Sequence, residues 1–71
     1  MIRWADHRQY SMAHDAEMSR VSGWDENHQE HWLWIDCGKD YRRRREDAVL
    51  TIMDAIEADK PPGEVDADAD V

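Results

Sequence analysis

Seventy-one residues with 41% hydrophobic content can build one small core, and a chain this short buries only about 60% of its unfolded surface. Nine basic residues against 17 acidic give a formal net charge of −8. This opposes unassisted binding to phosphate backbones or anionic membranes and favours a basic partner. A single cysteine excludes an internal disulfide, and no apolar run nears the roughly 18 residues of a membrane helix, so a cytoplasmic protein is expected.

The N-terminal third supports two readings. Ile2 and Trp4 alternate, as do Tyr10 and Met12, with a turn at His14-Asp15-Ala16-Glu17 and a second strand at Met18–Trp24. The alternative is a helix over Asp6–Val21, where good helix formers dominate. The strand reading is favoured because a lone aromatic strand further on would have nothing to pair with. Asp25-Glu26-Asn27-His28 then forms a polar hairpin loop.

The centre of the chain is His31-Trp32-Leu33-Trp34-Ile35-Asp36-Cys37, closed by Gly38. As a strand it sends Leu33, Ile35 and Cys37 to one face and Trp32, Trp34 and Asp36 to the other. One face suits a covering helix. The tryptophans opposite, joined by Trp24 or Trp4, are then either core, if the faces are inverted, or an exposed anchor for a partner, since tryptophan buries much area with few rotatable bonds.

A helix is predicted from about Arg44 to Asp59, with Ala48, Val49, Ile52, Ala55 and Ile56 on one stripe. Glu46 and Asp47 suit its positive end if it starts near Arg44, and Asp40 could cap an earlier start. Leu50 and Met53 fall off the stripe, and Pro61-Pro62-Gly63 ends the helix. The expected fold is therefore α+β. Residues 1–60 form a single βββα domain, a three-stranded antiparallel sheet packed on one C-terminal helix, and residues 61–71 form a disordered acidic tail.

Tyr10-Ser11, Met18-Ser19-Arg20-Val21, Trp32-Leu33-Trp34 and Arg45-Glu46-Asp47-Ala48 stand in an order that resembles many small phage and prophage proteins. The same order is similar to plant AP2-type and integrase arm-binding domains, which read DNA with a basic sheet, whereas this chain carries Asp36 there. Small acidic phage-type proteins of this look include anti-CRISPR inhibitors. That resemblance implies a phage- or mobile-element-encoded inhibitor in the host cytoplasm. It would block a nucleic-acid-handling complex such as a CRISPR effector by binding its protein surface.

The residues expected to meet such a partner are Trp32, Trp34 and Asp36 on the strand, Asp25, Glu26 and Glu30 around the loop, and Asp54 and Glu57 on the helix. Together the carboxylates could imitate a DNA backbone in a basic groove. Against this stands the plainer reading of a solvated acidic surface. Arg42, Arg43, Arg44 and Arg45 are the one basic cluster, suited either to local charge balance or to phosphate contact in a small nucleic-acid-binding accessory protein. A homodimer built on the tryptophan face is the third reading. His28 and His31 have a ligand-like spacing, but a structural zinc site wants four nitrogen or sulfur ligands, so no metal or cofactor is expected. Cys37 and His31 lie about 20 Å apart along a strand, too far for nucleophile and base, and no enzyme is expected.

Overall fold

The computed structural model describes residues 2–65. Its order is β1 (Arg3–Ser11), β2 (Ala16–Trp24), β3 (Glu30–Asp36), α1 (Tyr41–Glu57) and β4 (Gly63–Glu64), an α+β fold of one helix and a four-stranded mixed sheet in the order β1-β2-β3-β4. The first three strands are antiparallel, with Trp4 opposite Gly23 and Gly23 opposite His31. Asp15 and His28 take left-handed backbone (φ 51° and 61°) in the two connecting turns. Such a conformation costs an aspartate or histidine less than a branched residue.

Two details differ from the sequence expectation. First, Gly63–Glu64 is not part of an unstructured tail: it pairs parallel with β3, His31 opposite Gly63 and Trp32 opposite Glu64. Pro61-Pro62 redirects the chain after the helix, and Gly63 accepts φ 120°, which lets the strand turn back beside β3. The remainder of the expected tail, 66–71, lies outside the described residues. Second, the helix begins not near Arg44 but at Tyr41, the earlier start that Asp40 allows. The Tyr41 hydroxyl, donating to Asp6 at 2.8 Å and sitting 3.3 Å from the Ser19 hydroxyl, fixes this earlier start. Asp40 takes the N-cap position without a side-chain capping bond. Glu46 and Asp47 are thereby moved out of the first turn, which holds no acidic residue.

The core lies between α1 and one face of the sheet. Val21, Leu33, Ile35, Ala48 and Ile52 are buried there, with Trp4, Tyr41, Val49, Ile56 and Val65 packed around them. Leu50 and Met53, off the helical stripe, are exposed. Edge strand β1 is tied to the helix by Asp6, whose Oδ2 accepts from Tyr41 and from Arg45 Nε, both at 2.8 Å. These donors, Arg45 first, hold the Asp6 carboxyl below the usual carboxylate range.

Candidate interaction surface

The helix covers one face of the sheet, so period-two alternation assigns the other face directly. Leu33, Ile35, Val21 and Gly23 go under α1. The opposite face carries Arg3 on β1, Arg20 and Trp24 on β2, Glu30, Trp32, Trp34 and Asp36 on β3, and Glu64 on β4. The three tryptophans are half-buried with no helix above them. Two arginines supply part of the cover. Arg3 lies 4.9 Å from the ring centroid of Trp24, and Arg20 lies 4.1 Å from that of Trp32 and 6.0 Å from that of Trp34. A guanidinium over an indole shields the ring, and the pair gains cation–π attraction.

Arg20 is held in place by Glu30, which accepts from it at 3.1 Å and from the Ser22 hydroxyl at 2.7 Å. The result is a platform of neighbouring aromatic and cationic groups across three strands. At its loop end, Arg3 and Trp24 join Asp25, Glu26 and His28 around a depression of about 520 Å³.

The acidic residues expected to act together are divided by the fold. Asp25 is committed internally: its carboxylate accepts from the backbone N–H of Asn27 at 2.9 Å and of Gln29 at 3.0 Å, and meets His31 Nε2 at 2.9 Å. The His31 contact, then the Gln29 amide, holds its carboxyl below the usual range. Glu30 is occupied by Arg20 and Ser22. Glu26 and Asp36 are exposed. Asp54 and Glu57 are exposed on α1, across the sheet from the tryptophans, so they share no surface with Trp32 and Trp34. Asp54 instead borders a groove of about 460 Å³ between α1 and the returning chain, with Glu64 and Val65.

The arginine cluster is divided too. Arg45 is paired with Asp6, whereas Arg42, Arg43 and Arg44 are exposed and form no ion pair among the described residues. The two histidines of the ligand-like spacing part company: His28 sits in the exposed loop, and His31 is buried beneath the helix with 1% exposure. Among the described residues no three His, Cys, Asp or Glu side chains converge as metal ligands would.

Nothing in the linear order of residues singles out Arg3 and Arg20, and Trp4 and Trp24 look interchangeable as additions to the aromatic patch. The fold separates those two tryptophans onto opposite faces, Trp4 under the helix and Trp24 on the open side. That separation follows from register, which the hairpin loop lengths set and the composition does not reveal. Comparison with models of protein families, with curated proteins and with solved structures gave no match for this chain.

Proposed function

We propose that this protein is a non-enzymatic binding module that docks the open face of its sheet on a protein partner. The observation that carries this reading is the placement of Trp24, Trp32 and Trp34 on the face without a helix, each half-buried and ordered by Arg3 or Arg20. Tryptophan and arginine are the residues most enriched at interface hot spots, and rings already held in place lose little freedom on binding.

The partner we favour is a basic protein surface in a nucleic-acid-handling complex, with a CRISPR effector as the specific case and a phage- or mobile-element-encoded inhibitor as the biological role. Support comes from the net charge and from Asp36, Glu64 and Glu26 at the margins of the platform, which complement a basic rim while the indoles fill its centre. Inhibition would be steric, by occupation of a surface needed for nucleic acid.

A second reading has its own support. Single strands are held by bases stacked on aromatic side chains beside cationic ones, and Arg42–Arg44 stand unpaired at the helix end among the described residues. Titration with guide-loaded CRISPR effectors separates the two. The expected result is loss of target-DNA binding by an effector, reversed by Trp34→Ala and weakened by Asp36→Lys with Glu64→Lys. Tight capture of naked oligonucleotide at about 0.15 M salt, with effectors untouched, selects the second reading and overturns the first.

A further inference from the structure

β1 is an open edge, with no strand beyond it among the described residues. The ladder shows which of its backbone groups are free. Val65 N–H donates to the Trp32 carbonyl on the outer side of β3. Even-numbered residues of β3 therefore bond toward β4 and odd-numbered ones toward β2. Carried through both registers, the odd residues of β1 bond to β2, and Trp4, Asp6, Arg8 and Tyr10 direct their N–H and C=O outward.

We propose that β1 pairs antiparallel with β1 of a second copy of this chain, about a two-fold axis through His7, joining the two sheets into one. The sequence of the strand is complementary to itself in this register. Asp6 stands opposite Arg8 of the second copy and Arg8 opposite its Asp6, and the exposed Tyr10 of each copy takes the register position opposite the other's Trp4, whose indole stays over Gly23. These are also the residues with free backbone groups, so the four N–H groups of each copy are satisfied at the same time. Moving the axis by one residue puts Asp6 against Asp6, or Arg8 against Arg8. The charge pattern therefore selects one register.

The two charged side chains are available for this. Arg8 has only a long 3.9 Å contact with Glu17, and both are mostly exposed. Tyr10 is 58% exposed at the free edge, its hydroxyl donating to Asp15 and its ring uncovered. Asp6 spends Oδ2 on Tyr41 and Arg45, which leaves Oδ1 for the incoming guanidinium. This surface is separate from the tryptophan platform, so either can fail without the other.

Sedimentation of the full chain from micromolar to millimolar concentration at about 0.15 M salt tests the pairing, the salt screening the general repulsion between two acidic chains. The expected result is a rise from one-chain to two-chain mass. Arg8→Glu places like charges opposite each other twice and weakens the dimer by at least about tenfold. Arg8→Pro removes an outward N–H without touching the ladder to β2, and yields one-chain mass in sedimentation with the fold retained by circular dichroism. A one-chain mass throughout overturns the proposal. So does a dimer indifferent to both Arg8 variants, or one dissolved by Trp34→Ala instead.

Discussion

Replacing Gly23 with alanine probes how β1 is seated on the core. Gly23 lies on the helix-facing side of β2, opposite Trp4 and His31, and the Trp4 indole rests against the space a side chain would fill. A methyl group there would stand 2.7 Å from Trp4 Cζ3, 3.0 Å from Cη2 and 3.1 Å from Ile52 Cγ2. Ile52 is fully buried and has nowhere to go. Trp4 is half-buried and can swing outward, but exposing a further ~100 Å² of indole costs about 2.5 kcal/mol. Overpacking in general costs about 1–3 kcal/mol, and alanine returns about 0.5–1 kcal/mol through the greater freedom glycine has when unfolded. The net expectation is destabilisation by about 1–2 kcal/mol, which in a domain of this size lowers Tm by about 5–15 °C. Urea and thermal unfolding followed by far-ultraviolet circular dichroism measure it. In a Trp4→Leu background the same change should cost much less, leaving only the tight contact with Ile52. An equal cost in both backgrounds, or an undiminished midpoint for Gly23→Ala alone, refutes the clash.

Ile52→Ala removes the most deeply buried side chain and should cost about 2–5 kcal/mol, enough to leave much of so small a domain unfolded; proton spectra losing their dispersion would show it. The helix ends in a paired-carbonyl cap, with Asp59 N–H donating to Ile56 and Lys60 N–H to Ala55, and Asp59 itself adopts φ 59°. Asp59→Gly should therefore stabilise by about 0.5–1 kcal/mol, read as a rise in the urea midpoint. Asp6 and Asp25 have folded pKa values below their unfolded ones, so the stability they contribute is present above about pH 4 and disappears as pH falls through the folded values. Urea midpoints between pH 7 and pH 2 should fall steeply, and Asp6→Asn should flatten that decline while lowering stability at pH 7.

The strand alternation and the helical stripe are both legible in the order of residues alone. Leu33 and Ile35 against Trp32 and Trp34 is a period-two signal, and Ala48, Ile52 and Ala55 a helical one; each reports which face meets the core. The helix start is half legible: Asp40 marks the earlier start as one of two, but the contacts that hold Tyr41 there come from Asp6 and Ser19, partners 35 and 22 positions away. β4 is hidden for a related reason. Gly63-Glu64 has no strand composition, and its pairing comes from the proline-directed return of the chain beside β3. The platform is half legible: two of its tryptophans sit on one strand, but Arg3 and Arg20 join them only through the registers of two hairpins. The acidic residues do not act as one set, because local hydrogen bonding claims Asp25 and Glu30 and the helix carries Asp54 and Glu57 to the far side.

The charges on α1 run against its own peptide dipoles. Arg42, Arg43 and Arg44 crowd the end that is already positive, and Asp54 and Glu57 stand near the end that is already negative, with no acid in the first turn and no base in the last. An arrangement that weakens the helix gives α1 a polarity along its own axis, side chains and backbone adding in the same sense. A charged body near α1 would therefore meet a different sign at each end of the helix. Reversing Arg42 and Arg43 to glutamate would steady the helix and blunt that contrast.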